Sequence, residues 1–387
     1  MKSYQDRSVD LHREKKGKIE VVSKFSLQTK DDLSVAYTPG VAGPSLLIAK
    51  DKAEAFNLTA TKNMVAVVSD GSAVLGLGDI GPEGAIPVME GKAILFKEFG
   101  GVDAFPIVLN VHTVEEIVEA VKAISPTFGG INLEDISAPR CFEVEERLSA
   151  ELDIPVFHDD QHGTAIVVLA SLINALKITG KDISARVVVN GAGSAGIAIT
   201  NLIHAYGFNN IIVCDSQGII SLNRKELGKY KERLLEFTNL NNQDGSVHDA
   251  LAEADIFIGV SKGDLLSAED ITKMNKDAII FAMANPTPEI MPEVAKQGGA
   301  LVVATGRSDL PNQINNVLVF PGLFNGLFKV RAKKIDTGLK LHIAKSLASA
   351  LNNPTAEKII IGPFENPGQI VSASVVEYFK NNPAKLF

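Results

Sequence analysis

The segment Gly191-Ala192-Gly193-Ser194-Ala195-Gly196 constrains this chain more than any other. A G-x-G-x-x-G run carries a dinucleotide only where it links a strand to a helix, and both flanks are present. The β-branched run Arg186–Val189 precedes it, and Ile197, Ile199, Leu202, Ile203 and Tyr206 follow at helical spacing. In that setting the first Gly permits the tight turn and the second lets a pyrophosphate approach the backbone. The third lets helix pack closely on strand. The phosphates are expected at the helix N-terminus, where unpaired N–H groups and the helix dipole favour anions. A second strand then ends at Asp215. A carboxylate there accepts a hydrogen bond from an adenosine ribose 2′-hydroxyl and repels a 2′-phosphate, which favours NAD over NADP. Asp215 also suits the turn Asp215-Ser216-Gln217-Gly218, and Arg224 and Lys225 just beyond could compensate a phosphate. The expected cofactor is therefore NAD or NADP, with NAD favoured.

A second copy of the pattern, Gly76-Leu77-Gly78-Asp79-Ile80-Gly81, lacks that setting. Pro82 follows at once, Pro87 is expected to interrupt any helix, and Asp79 would repel a phosphate. It reads as a turn that shapes some other site.

From the fingerprint onward, apolar runs at Ile211–Val213, Asp255–Val260, Ala278–Ala282 and Leu301–Val303 alternate with helical patterns. The helical patterns are Ser194–Tyr206, Arg224–Glu236, Val247–Ala254 and Pro292–Gln297. Near-continuous apolar strands of this kind suit a parallel sheet covered on both faces. Upstream, strand-like runs at Met64–Val68 and Phe105–Leu109 and helical patterns at Gly91–Phe99 and Val114–Ile124 are separated by Gly- and Pro-rich turns. The expected fold is α/β. A smaller N-terminal α/β substrate domain, residues 1–160, precedes a Rossmann-like, doubly wound, parallel-sheet NAD(P)-binding domain, residues 161–387. The latter ends in a helical extension from Asp336, and Thr164–Leu176 is its first helix.

Composition excludes several other classes. With 38 basic and 46 acidic residues the net charge is −8, which argues against a nucleic-acid-binding surface. The longest apolar stretch, Gly163–Leu176, is broken by Asn174 and falls short of the ~20 residues of a membrane span. Met1–Glu20 is densely charged, with no apolar region of a secretory leader. Cys141 and Cys214 form no C-x-x-C pair and suit reduced thiols in a cytoplasmic protein.

Two acidic pairs, Glu134-Asp135 and Asp159-Asp160, flank the expected domain change. Each follows an apolar run, and at the end of a strand the alternation of side chains relaxes, so that both members can converge. Carboxylates brought together repel unless a cation sits between them, and hard oxygen donors select Mg²⁺ or Mn²⁺. His158 and His162, four residues apart, admit a transition-metal site instead, and helix capping or a solvated loop is the plainer role for the acids.

The run Phe157-His158-Asp159-Asp160-Gln161-His162-Gly163-Thr164-Ala165 resembles the signature of the malic enzymes. Those enzymes oxidatively decarboxylate malate to pyruvate and CO₂ with NAD or NADP and a divalent metal. Further matches, in family order, are Tyr37-Thr38-Pro39-Gly40-Val41, Gly76-Leu77-Gly78-Asp79, Gly91-Lys92-Ala93, Asn132-Leu133-Glu134-Asp135, Asn285-Pro286-Thr287 and Asn315-Asn316. The length is similar to that of the short bacterial form. The resemblance implies Glu134, Asp135 and Asp160 as metal ligands, Lys92 as general base and Tyr37 as general acid. It further implies substrate or nicotinamide contacts from Lys92, Asn285, Asn315 and Asn316, and malate as the substrate of a homodimer or higher homo-oligomer. The longer members carry an Arg shortly before the Gly-Leu-Gly-Asp turn, where this chain reads Ser72-Ala73-Val74. That leaves Arg140, or a Lys or Arg of a partner subunit, as carboxylate clamp.

The chemistry calls for such a set. A 2-hydroxy acid must lose its hydroxyl proton as hydride leaves C2, and Lys92 serves as a base near neutral pH only if its pKa falls well below ~10.4. The keto acid then loses CO₂ and its enol takes a proton at C3, for which Tyr37 is the expected donor. An amino-acid dehydrogenase of similar two-domain plan would leave the acids idle, and a non-catalytic dinucleotide sensor would leave Tyr37 and Lys92 idle as well.

Overall fold

The carboxyl ends of two sheets line one cleft in the computed structural model, which describes residues 2–74 and 76–386. Met1 and Phe387, the outer ends of the two expected domains, lie outside the described residues. In the first sheet, β1 (Met64–Ser69), β2 (Asp103–Val108), β3 (Gly130–Leu133) and β4 (Val156–His158) run parallel in the order β2-β1-β3-β4. β1 and β3 are apolar on both faces and almost wholly buried, as inner strands of a covered sheet must be.

The second sheet contains β5 (Val187–Asn190), β6 (Ile211–Asp215), β7 (Gly218–Ile219), β8 (Ile256–Gly259), β9 (Ala278–Ala282) and β10 (Ala300–Thr305). Its order is β10-β9-β8-β5-β6-β7, so the winding reverses between β5 and β8. That switch point is where a doubly wound sheet opens a crevice for ligands. The expected all-parallel sheet needs one correction. β7 is antiparallel to β6, because only two residues, Ser216 and Gln217, separate them and a parallel return needs a long crossover. The helices after it are also shorter than expected, Lys229–Leu234 and Val247–Ala250.

The helix Gly81–Gly100 runs straight through Pro87, against the expectation that this proline interrupts it. Pro82 lies in the first turn, where no N–H is needed, and Pro87 forgoes a bond only to Glu83, close to the same end. The second helix to exceed expectation is Asp159–Thr179, which begins at the acidic pair itself. By length and composition it could cross a membrane, but two thirds of it is packed inside the fold, against the helices Ser194–Tyr206 and Thr337–Ser349. Its buried Asn174 donates to the carbonyls of Ala348 and Ile359, both at 2.9 Å, which locks the C-terminal segment onto it.

The C-terminal helices Phe320–Val330 and Pro367–Asn381 pack on each other and return to the first sheet's side. Phe96 of the helix Gly81–Gly100 meets the rings of Phe320 and Phe324 at centroid distances of 4.7 and 5.5 Å. The helices before β1 behave otherwise. Tyr4–Lys15, Lys30–Ala36, Ala42–Lys50 and Glu54–Leu58 bury no residue.

One glycine is fixed by packing alone. A Cβ on Gly196 would stand 1.6 Å from the Gly191 carbonyl oxygen, so the helix Ser194–Tyr206 approaches its own entry loop as only glycine allows. Gly196→Ala is expected to push the helix off that carbonyl and to cost about 1–3 kcal/mol. The readout is the midpoint of urea unfolding, and an unchanged midpoint would show that the approach is not a packing constraint.

Candidate active site

Lys92 is carried by the helix Gly81–Gly100 and is only 7% exposed. Its Nζ lies 2.5 Å from Asp159 Oδ2 and 2.8 Å from Glu134 Oε1, and 4.1 Å from the centroid of the Phe320 ring. Burial pushes the ammonium toward the neutral form, but Asp159 and Glu134 more than reverse this and hold Lys92 above the ordinary lysine range. The reason is that two buried carboxylates face one cation. Burial pushes Asp159 up to about 7, with Lys92 offsetting only part of the effect. Asp159 is the functional side chain that motif reading left without a role. Its signal was the acidic pair, of which only Asp160 was given to a metal.

Glu134, Asp135 and Asp160 each offer a carboxylate oxygen within 4.8 Å of the others. Adjacent residues converge here because Asp135 adopts a left-handed backbone, φ 54°, which turns the chain back at the end of β3. Asp160 Oδ2 accepts from the Asp135 N–H at 2.8 Å, and Asn132 donates to Glu134 at 2.9 Å. Burial raises both Glu134 and Asp160, Lys92 offsets part of that rise, and a neighbouring carboxylate adds to it. Two carboxylates thus contact the lysine, and Glu134 belongs also to the acidic triad, whose oxygen-only donor set fits a hard divalent cation. The histidines lie outside this cluster. His162 Nε2 is 2.8 Å from Glu145 Oε2 and its Nδ1 3.0 Å from Lys340 Nζ, while buried His158 stays 3.6 Å from Asp160. Burial favours the neutral Glu145 carboxyl, but His162 and Lys340 hold it at about 2.

The cleft around these groups encloses about 870 Å³. Its wall takes Ile136 after β3, Thr164 after β4, Ser194 and Ala195 after β5, Ser261 after β8, Asn285 after β9 and Arg307 after β10. Asn315, Asn316 and Gly76 complete it, so the first glycine turn does shape another site. Two expected residues are elsewhere. Tyr37 is 66% exposed and lines no part of the cleft. Arg140 is committed to Asp70 at 2.6 Å and to the His112 carbonyl at 2.5 Å. Among the described residues, the cations in the cleft wall are Lys92 and Arg307. Arg307 bonds Asp309 at 2.6 Å and the Pro286 carbonyl at 3.1 Å. The sequence signal that could have found it is a basic residue two positions past a strand's carboxyl end.

A second cavity, about 710 Å³, adjoins the cleft at Ser261 and is lined by Gly191, Ala192, Gly193, Asp215 and Lys231. Gly191 has φ 110°, and a Cβ there would meet the Val260 carbonyl at 2.5 Å. Nothing stands within 4 Å of a Cβ on Gly193, which leaves open the approach that a pyrophosphate needs. Asp215 is less available than expected. Its oxygens lie 2.8 Å from Arg224 Nη1 and 2.6 Å from Lys231 Nζ, and these cations, against burial, hold its carboxyl at about 2. Arg224, expected to compensate a phosphate, is spent on Asp215. Lys231, sixteen residues past Asp215 on the short helix Lys229–Leu234, carries no local signal that would have placed it here.

Residues 16–149 match the family described as "Malic enzyme, N-terminal domain", and residues 161–378 match "Malic enzyme, NAD binding domain". The chain is 54% identical over 367 residues to the bifunctional malic/malolactic enzyme of Bacillus subtilis, covering 94% of this chain and 90% of that one. It is 55% identical over 362 residues to the NAD-dependent malic enzyme of Geobacillus stearothermophilus, covering 93% and 74%. The crystal structure of the malic enzyme from Pyrococcus horikoshii superposes with a TM-score of 0.93 at 45% identity, covering 99% and 92%. With an N-terminal substrate domain, a Rossmann-like NAD(P)-binding domain and an acidic triad suited to a metal, the chain belongs to the malic enzyme family, as an NAD(P)-dependent oxidoreductase.

Proposed function

We propose that the chain converts malate to pyruvate and CO₂ with reduction of NAD(P), as a decarboxylating enzyme of the short bacterial form. Residues 1–160 supply substrate and metal contacts, and residues 161–387 supply the cofactor site. The observation that carries this reading is a shared carboxylate. Glu134 contacts Lys92 at 2.8 Å and belongs to the acidic triad, which couples the base to the metal site.

Glu134, Asp135 and Asp160 would hold Mg²⁺ or Mn²⁺, which supplies Lewis-acid polarisation of the oxygen at C2. A cation there would neutralise Glu134, one of the two carboxylates that hold the Lys92 proton, and so favour release of that proton to solvent. The neutral Nζ of Lys92 then accepts the proton of the C2 hydroxyl as hydride leaves C2 for the nicotinamide, with Asp159 still orienting it. Asn285, Asn315 and Asn316 orient the substrate by hydrogen bonds along the opposite wall. The phenol of Tyr37 delivers the proton that C3 needs after CO₂ departs. NAD is favoured over NADP because Asp215 ends β6 at the adenosine cavity, and the Geobacillus relative is named NAD-dependent.

Three outcomes test this reading. Lys92→Ala is expected to lower kcat with malate by about 10²–10⁴-fold while cofactor binding, followed by NADH fluorescence, persists. Undiminished turnover would remove Lys92 from the chemistry. Treatment with EDTA is expected to abolish decarboxylation, and Asp160→Asn to raise the Mn²⁺ needed for half-maximal rate by tenfold or more, roughly one lost charged ligand's worth. Unaltered metal dependence would leave Asp160 structural. Initial rates with each nucleotide should give the higher kcat/KM with NAD, and a preference for NADP would show that Arg224 and Lys231 leave Asp215 to receive a 2′-phosphate.

A further inference from the structure

Glu289 is a buried acid without a cation. It lies in the loop after β9, is wholly buried, and among the described residues pairs with no Lys, Arg or His. Burial pushes its carboxyl above the ordinary glutamate range, and the N–H groups of Ala284 and Ser261 offset only part of that rise. A carboxylate in such a place gives up hydration that only well-aimed donors replace.

Its donors come from two strand ends. Oε1 accepts from the Ser261 N–H at 2.8 Å and from the Ser261 hydroxyl at 3.1 Å, and Oε2 accepts from the Ala284 N–H at 3.0 Å. Ser261 follows β8, and Ala284 follows β9. A third strand joins through Asn190, the last residue of β5, whose side chain donates to the Ser261 hydroxyl at 2.7 Å. The backbone is shaped around the acid as well. A Cβ on Gly259 would stand 2.4 Å from the Glu289 carboxyl carbon, so β8 ends in a glycine that leaves room for it. These strand ends bound the crevice at the switch point. Ser261 lines both the cofactor cavity and the cleft, Asn190 lines the cavity, and Ala284 and Asn285 line the cleft. Glu289 lines neither and holds this wall from its buried side. Hydride must pass between the two spaces that the wall joins, and a misplacement of about 1 Å can cost such a transfer roughly 10²-fold.

We propose that Glu289 is a positioning residue for hydride transfer. By gathering Ser261 and the Ala284–Asn285 peptide onto one carboxylate, it sets the nicotinamide end of the cofactor against the substrate. The inference rests on malate as the substrate, and failure of that reading would show in the wild-type chain before any variant is compared. The donor pattern explains why an acid stands here. All three bonds point toward Glu289, so it must offer acceptors only, as a carboxylate does. The carboxamide of a glutamine has the same volume but turns one of its two ends into a donor, which meets a wall N–H head on. The wall segment behind that N–H is then displaced without a cavity being opened.

Glu289→Gln tests the proposal. Its single-turnover rate of nicotinamide reduction with malate is expected to fall by about tenfold to 10²-fold. NADH fluorescence should still find a nucleotide site in every chain, and the Mn²⁺ requirement should stay that of the wild type. A merely structural role would instead reduce the number of binding sites or lower the midpoint of urea unfolding while each remaining site turned over at the wild-type rate, and that result overturns the proposal. Should Glu289→Gln fail to fold, Ser261→Ala takes its place, since it removes one of the three bonds to the carboxylate. It is expected to show the same slowed transfer with intact cofactor binding, at smaller size, and a wild-type rate per site in that variant would overturn the proposal.

Discussion

A lysine ammonium held between two buried carboxylates organises this molecule. Lys92 comes from the first sheet's helix, Glu134 from the end of β3, and Asp159 from the start of the helix that leads into the second sheet. Removing either sign from such a cluster leaves uncompensated charge in a water-poor site, at a cost of about 3–5 kcal/mol. The ion pairs therefore set the relative position of the elements that meet at the cleft. They also bring Glu134 within reach of Asp135 and Asp160, three carboxylates gathered at the cleft. A cluster of this kind is a candidate site for a hard cation, and Glu134 is the carboxylate it shares with Lys92.

The rest of the fold serves that arrangement. Parallel strands send their carboxyl ends the same way, so the parallel strands of the two sheets deliver six chain crossings to a common cleft. The long buried helix Asp159–Thr179 connects them rigidly, with its first turn in the active site and Asn174 pinned to the C-terminal segment. The helix Phe320–Val330 closes the circuit by packing Phe320 under Lys92 and against Phe96. Among the described residues, the helices before β1 stand apart from this core and bury no residue.

Much of the site was legible before the structure. The fingerprint turn, the acidic pairs and Lys92 are local patterns whose chemistry depends on residue type and short-range spacing. The misreadings have physical causes. Pro87 does not break its helix because its missing bond falls near the helix start. Asp215 is not a free acceptor because Lys231 and Arg224 fold back on it, and a partner on a separate helix leaves no trace in the local pattern. Asp159 went unrecognised as the partner of Lys92 because the two are 67 residues apart.

The amino-acid sequence by itself determined the α/β class, the position of the dinucleotide turn, and the residue types of the proposed base and of a candidate hard-cation site. These follow from hydrophobic periodicity, glycine geometry and carboxylate chemistry, all of which act within a few residues. Tertiary structure alone decided which acids converge, and that Lys92 sits between Asp159 and Glu134. It also decided that Tyr37 lies outside its own cleft. Those outcomes depend on burial and on distances between residues far apart in the chain, and neither quantity exists until the sheets have packed.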